Sequence, residues 1–216
     1  MFEEMQLLFS TQLHTMLYTI LLATITILAV LNPFGNLPQF IAMTEELETS
    51  LRQSLFRNIL YTSFIIVVLF LLSGPFIMRY LFNVDLNDLR IAGGLLLILV
   101  SLKNLLFQSH KATTHYATTN KSELLSQSIV PMAFPMLVGP GTLSTSIVIS
   151  EENGTFVALS AVVVAFVFML ILFHFAATIE RVLGKLVLHV FSRIALVFIM
   201  AMGVKMMIIG LKATLL

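Results

Sequence analysis

Two short runs of residues carry the groups best suited to holding a small polar ligand. The first is Leu31-Asn32-Pro33-Phe34-Gly35-Asn36-Leu37-Pro38-Gln39, and the second is Val138-Gly139-Pro140-Gly141-Thr142-Leu143-Ser144-Thr145. Each interrupts an apolar stretch. Pro removes an N–H from a helical ladder and Gly permits a sharp turn, so each run frees backbone amides and carbonyls. A free N–H end favours an anionic group such as a carboxylate, and a free carbonyl end favours an ammonium group or a cation. Residues 34–38 and 139–144 would supply the amides, with Gly35, Gly139 and Gly141 letting a ligand reach the backbone. Asn32, Asn36, Gln39, Thr142, Ser144 and Thr145 add neutral oxygens, and Pro33, Phe34 and Pro140 complete the candidate binding set. No acid or base lies close by in sequence. A neutral zwitterion therefore suits the two runs better than a net ion does.

The runs are related to each other. A shift of 106 positions sets Gly35 on Gly141, Asn36 on Thr142, Leu37 on Leu143 and Ile41 on Ile147. It also sets Thr44 on Ser150 and Glu45-Glu46 on Glu151-Glu152. Arg90-Ile91-Ala92 and Arg193-Ile194-Ala195 open two further apolar stretches, followed at nearly equal intervals by Lys103 and Lys205. At membrane depth a freed backbone group must be satisfied within the protein or in a water-filled cavity. Breaks at corresponding places in two halves mark the binding site in transporter folds.

The elements that must position these runs are membrane helices. Hydrophobic residues make up 58% of the 216 and charged residues only 11%, which excludes an ordinary soluble domain. At about 20 residues per span there is room for six. The spans are predicted at 15–31, 58–72, 91–106, 129–149, 155–178 and 194–211, the first and fourth being discontinuous. Residues 1–14 read as an interfacial segment or the start of the first helix. Glu45 to Arg57, Arg79 to Arg90, Glu151 to Gly154 and Glu180 to Arg193 read as connections, with the second span stopping near Ser73-Gly74-Pro75. Gly93-Gly94 permits close helix contact.

The predicted fold is thus an all-α membrane protein of six transmembrane helices in two inverted-topology three-helix repeats. Residues 1–107 form the first repeat, 108–127 a polar linker and 128–216 the second repeat. With the N-terminus outside, inner connections hold Arg52, Arg57, Lys111, Lys121, Arg181, Lys185 and Arg193, against outer Arg79, Arg90 and Lys212. Both termini are therefore expected outside. The acidic start, Met1-Phe2-Glu3-Glu4, is unlike a signal peptide, so the first apolar segment is expected to be retained.

Other chemistry is sparse. There is no Cys, and His110 and His115 lack the pairing of a metal site, so no metal or resident cofactor is expected. No basic patch with interleaved aromatics points to nucleic acid. No nucleophile elbow, phosphate loop or zinc motif points to an enzyme. Lys103 sits near the end of its span, where its ammonium can snorkel to the interface. Lys205 lies deeper, and charges within spans are often functional. His174, near the end of the fifth span, fits an interfacial or hydrogen-bonded histidine better than a proton relay. Ala161 and Ala165 suit a close contact, either inside the chain or with a second copy in a homo-oligomer. The lipid bilayer is the one partner that composition demands.

Two motifs carry a family resemblance: Asn32-Pro33-Phe34-Gly35-Asn36-Leu37-Pro38, and Pro131-Met132-Ala133-Phe134-Pro135-Met136-Leu137-Val138-Gly139-Pro140-Gly141-Thr142. They resemble the patterns of the MarC family, also described as a neutral amino acid transporter family, and length and motif placement agree over essentially the whole chain. The resemblance implies a multi-pass protein of a prokaryotic inner membrane that transports small neutral amino acids of the glycine or alanine type. Where many members have Asp before the first Pro, this chain has Asn32, so a neutral amide replaces a carboxylate that could serve a cation or proton. Coupling to Na⁺ or H⁺ therefore rests on the carbonyl ends alone. Rival expectations are an exporter or a channel-like facilitator of another small solute, and lastly a membrane scaffold, for which the loops are short.

Overall fold

The computed structural model describes residues 2–44, 47–77, 80, 83–106 and 128–215, and these are helical with no strand among them. In chain order the helices are α1 (Phe2–Leu31), α2 (Pro33–Met43), α3 (Thr49–Ile77), α4 (Leu86–Leu106), α5 (Ser128–Leu137), α6 (Pro140–Asn153), α7 (Thr155–His174) and α8 (Ala176–Leu215). Among the described residues, five segments are long and apolar enough to cross a membrane: Ser10–Leu37, Thr49–Ile77, Leu86–Leu106, Thr155–His174 and Leu186–Leu215. The predicted fourth span is present as two pieces, α5 of 10 residues and α6 of 14, neither of which spans alone. Large apolar side chains such as Leu69, Phe76, Phe156 and Phe198 face outward, as lipid-facing surfaces require. The molecule is a multi-pass integral membrane protein.

Several predicted boundaries move. The first helix begins at Phe2, so the segment before residue 15 is the start of that helix, one of its two expected readings. Thr49 to Arg57, expected in a connection, forms the first turns of α3, which also runs on through Pro75 to Ile77. Pro75 is tolerated because it stands close to the helix end, where few later residues depend on the ladder. Gly74 just before it leaves room for Ile147 of α6, whose Cδ1 fills the place of the missing Cβ. The fifth span stops at His174, with Phe175 as its C-cap, whose N–H donates to Ile171 O at 3.2 Å. Much of Glu180–Arg193 is helical within α8, which breaks only at Gly184 (φ 75°, ψ 156°), a left-handed setting that Gly accepts without strain. The polar linker 108–127, the pair Glu45-Glu46 and Arg79 lie outside the described residues.

The winding of α5 follows from its prolines. Pro135 lacks an N–H, and its ring would collide with the residue 131 carbonyl in an ordinary α-helix. The segment instead winds as a π-helix, and the Val138 N–H donates to Ala133 O, five residues back, at 2.9 Å.

At the centre stands α6, with every residue from Gly141 to Ser150 buried. It packs against α1, α3, α4 and α7, while α1 and α3 also pack on α7, α2 on α8 and α3 on α5. The most extensive pair is α4 with α8. Their axes approach at Gly94 and Gly203, where a Cβ on Gly94 would lie 2.5 Å from Gly203 O and one on Gly203 would lie 2.6 Å from Gly94 O. The expected use of Gly93-Gly94 for close contact is met here. Arg193 secures the far end of this pair by donating to Leu105 O at 2.6 Å and Asn104 O at 3.1 Å. It thereby satisfies last-turn carbonyls of α4, where a cation is favoured. Ala161 and Ala165 are wholly buried in the main core, so they serve contacts inside the chain.

Candidate functional site

The first break is built by Asn32. Its backbone takes a left-handed conformation (φ 46°, ψ 61°), which Asn tolerates better than most residues. Its N–H still reaches back to Leu28 O at 3.0 Å, closing α1, while its carbonyl accepts from Gly35 and Asn36 N–H, each at 3.0 Å, opening α2. The side-chain Oδ1 accepts from Gly35 N–H at 3.1 Å, a helix cap. Gly35 is required by this arrangement, since a Cβ there would lie 2.7 Å from Asn32 Cγ and 2.8 Å from its Oδ1. Asn36 turns back and donates through Nδ2 to Leu31 O at 2.7 Å, satisfying a last carbonyl of α1. Pro33 occupies the first turn of α2, where its missing N–H costs nothing.

The second break is less well capped. Gly139 is extended (φ −94°, ψ 175°), and no side chain caps α6. Its carbonyl accepts from Thr142 N–H at 3.0 Å and Leu143 N–H at 3.2 Å. With Pro140 lacking an N–H and those of Thr142 and Leu143 taken by Gly139 O, Gly141 N–H is the first-turn amide of α6 left without the kind of side-chain partner that Asn32 gives α2, at a helix end where anions are favoured.

The two breaks meet in one cavity of about 360 Å³. Asn32 and Asn36 line it from one side, and Gly139, Pro140, Gly141 and Thr142 from the other, with Met136 and Leu137 at the end of α5. Leu96, Leu97, Val100, Ser101, Lys103 and Asn104 of α4 and Leu196 and Ile199 of α8 complete the wall. Such a volume lies within the range of small-molecule sites, about 300–1,000 Å³. Ser101 is fully buried, and its Oγ is the only buried side-chain polar atom among the described residues without a hydrogen-bond partner. A buried unpartnered hydroxyl costs free energy.

Not every predicted residue faces this cavity. Ser144 packs into a notch on α4, where a Cβ on Gly93 would lie 2.7 Å from Ser144 Cβ, and its hydroxyl donates to Gly141 O at 3.0 Å. The space over Gly141 is occupied by Leu97, whose Cγ would be 3.1 Å from an added Cβ, so this Gly serves helix packing as well as the cavity wall. Phe34 makes a ring contact with Phe191 of α8, centroids 6.0 Å apart. The side chain of Gln39 lies outside the described residues.

Thr145 lines a different cavity, of about 490 Å³. That space follows the same four helices one turn further on: Tyr18, Thr19, Leu22, Ala23 and Thr26 of α1, Arg90 of α4, Val148, Ile149, Glu152 and Asn153 of α6, and Met202, Lys205, Met206 and Ile209 of α8. Only three residues separate Thr142 from Thr145 and Ile199 from Met202, so the partition is roughly one helical turn, about 5 Å. Arg90 pairs with Glu152 here and donates to Asn87 Oδ1 at 2.8 Å. His174 belongs to neither space. It lines a third, smaller cavity with Arg57 and Ser54, of about 290 Å³.

Sequence reasoning missed Ser101, Asn104 and the cavity role of Lys103. All three sit on α4, distant in sequence from both breaks, and only the packing of α4 on α6 and α8 brings them in. The Gly93-Gly94 pair was the available signal, because it marks which face of α4 turns inward.

Among the described residues no group of acids, histidines or cysteines could hold a metal ion. The family model for "MarC family integral membrane protein" matches residues 17–215. The "UPF0056 membrane protein YvbG" of Bacillus subtilis (strain 168) is 32% identical over 197 residues, covering 87% of this chain and 92% of the relative. A "UPF0056 membrane protein" of the archaeon Archaeoglobus fulgidus is 30% identical over 190 residues, covering 86% and 89%. One from Buchnera aphidicola subsp. Schizaphis graminum is 30% identical over 193 residues, covering 88% and 90%. No solved structure matches the chain. The family match over nearly the whole length, on a helical membrane fold whose two Pro-Gly breaks meet in one cavity, makes this protein a member of the MarC family.

Proposed function

We propose that the protein is a secondary transporter of small neutral amino acids of the glycine or alanine type, working by alternating access around the cavity between the two breaks. The observation that carries this is the cavity itself. It sets the uncapped N-terminus of α6, the Asn32 carboxamide, the α5 C-terminal residues Met136 and Leu137 and the unpartnered Ser101 hydroxyl around one small space. In this proposal the carboxylate of the ligand meets the Gly141 N–H at the start of α6 and the Asn32 Nδ2. The ammonium meets the carbonyls that end α5, and Ser101 takes whichever group lies nearest. The apolar walls from Leu97, Val100, Leu196 and Ile199 favour a short aliphatic side chain over a charged one.

The helix pairings support two inverted repeats. The packing of α1 on α7 corresponds to that of α5 on α3, and α4 on α6 corresponds to α8 on α2. The pairs α3 with α7 and α4 with α8 would each correspond to themselves across a pseudo-two-fold axis. Two cavities placed end to end along the same helices, with about one turn between them, are the arrangement in which rocking of one half opens one space and closes the other. We place the Lys103 face in the cytoplasm of a prokaryote and both termini outside, on the distribution of Lys and Arg.

The test is labelled-glycine and labelled-alanine counterflow in vesicles reconstituted with the full-length protein. Saturable exchange that is lost in Asn32→Gly and Ser101→Ala supports the proposal. Non-saturable flux would instead support a channel-like facilitator, and absence of flux with both amino acids would refute the substrate assignment. Repeating the exchange with and without Na⁺ and across pH reads the coupling.

A further inference from the structure

The second cavity holds a charge that the proposed substrate path does not use. Lys205 lies ten residues before Leu215, the end of the described helix, roughly 15 Å along the axis, within the apolar run Ile194–Ile209. Among the described residues its ammonium has no carboxylate or hydrogen-bond partner. The one carboxylate lining the cavity, Glu152, is already paired with Arg90. The lining therefore carries one positive charge in excess. Beside it, Thr145 Oγ1 has only the Met206 thioether as acceptor, at 3.9 Å, a weak partner that leaves its proton available.

We propose that this second cavity is a binding station for a small carboxylate, anchored on the Lys205 ammonium with Thr145 as the second donor. The Lys205 side chain is exposed rather than packed away, so its ammonium is open to an anion that enters the cavity and supplies the missing partner. Apolar walls from Leu22, Ala23 and Val148 beside the charge fit a carboxylate with a short aliphatic body better than a bare halide. That this station and the cavity at the breaks are successive stops of one substrate rests on the transporter proposal. The anion site itself does not.

The test uses the purified full-length protein and acetate as the probe, with chloride and glycinamide as comparisons, read by thermal stabilisation. Acetate is expected to stabilise the wild type while glycinamide, which has no carboxylate, does not. Lys205→Met leaves no partner orphaned, so it folds, and it is expected to raise the half-stabilising acetate concentration at least about tenfold, whereas Lys205→Arg holds it within about threefold. Protection of Lys205 by acetate against an amine-acylating reagent, read by peptide mass spectrometry, gives the same answer without a variant. Equal stabilisation of Lys205→Met, or stabilisation of the wild type by chloride alone or by none of these probes, overturns the proposal. Ser101→Ala separates the two sites: it should weaken glycine binding at the breaks and leave acetate binding at Lys205 unchanged. Glycine binding unaffected by Ser101→Ala, with Lys205 dependence intact, would remove the first assignment and keep the second.

Discussion

Replacing Ser101 by Ala should move stability and binding in opposite directions. The hydroxyl is fully buried without a partner, and an unsatisfied buried polar group costs about 1–3 kcal/mol. Removing it relieves that cost and changes the volume by little more than one atom. For a chain of this size 1 kcal/mol shifts Tm by about 2–4 °C, so the ligand-free variant should melt roughly 2–12 °C higher than the wild type. With ligand the hydroxyl gains a charged partner, a hydrogen bond of about 1.5–3 kcal/mol. Its loss should weaken binding about 10- to 150-fold. At a glycine concentration 100 times the wild-type Kd, binding stabilises the wild type by about 2.7 kcal/mol, and the same concentration should give the variant about half of that or less. The assay is thermal unfolding of the purified protein, with and without glycine or alanine. A lower ligand-free Tm would show that the hydroxyl already has a partner. A full ligand-induced rise in the variant would show that the ligand is not that partner.

Three further outcomes are expected. Gly94→Ala places a Cβ 2.5 Å from Gly203 O and 2.8 Å from Met207 N, both backbone atoms, where ordinary contact begins at 3.4 Å. The helices must part, at a cost of about 1–3 kcal/mol less about 1 kcal/mol of improved helix propensity, so Tm should fall by a few degrees; a rise would place the α4–α8 crossing elsewhere. Gly35→Ala should push the Asn32 carboxamide off its cap, costing about 1 kcal/mol in stability and most of the glycine-induced stabilisation, and full retention of that stabilisation would free Asn32 of a ligand role. Asn32→Asp keeps an oxygen cap for Gly35 N–H but sets a second carboxylate beside that of the ligand. Glycine stabilisation should persist at low pH, where the new carboxyl is protonated, and fade as pH rises through its titration; the same profile for variant and wild type would argue against carboxylate binding at this break.

The breaks were legible in sequence because Pro and Gly act locally: what Pro33 and Pro140 do to a helix follows from their own rings. The membrane class followed from composition for the same reason. The residues that face one another across the cavity were not legible. Ser101 is one hydroxyl in the run Leu97-Ile98-Leu99-Val100-Ser101-Leu102, and its only sequence signal was its place two turns after Gly94, which marks a contact face but not the cavity behind it. Ser144 and Thr145 are neighbours on α6 yet point to different places, because a step of one residue rotates a side chain by about a quarter of a turn or more. Charge does not mark a helix end in this chain. Arg52 and Arg57 lie within α3 because a helix end at the interface can carry charge without unwinding.

The hydroxyls of α6 and α1 have a mechanical side. Ser144 donates to Gly141 O and Ser146 to Thr142 O, each within its own helix. Thr15, Thr19, Thr24 and Thr26 of α1 likewise donate to carbonyls four residues back. Hydroxyls so occupied do not glue one helix to the next. Polar ties from α6 to neighbouring helices include the Arg90–Glu152 pair, the soft Thr145–Met206 contact and the Ser150–Thr155 bond across its own C-terminal turn. A helix buried on every side would ordinarily be locked in place. Here the lock is shape more than hydrogen bonding: Ser144 is seated at Gly93 of α4 and Ile147 at Gly74 of α3, so a shift of α6 along its own axis would drive each side chain into the wall of its notch.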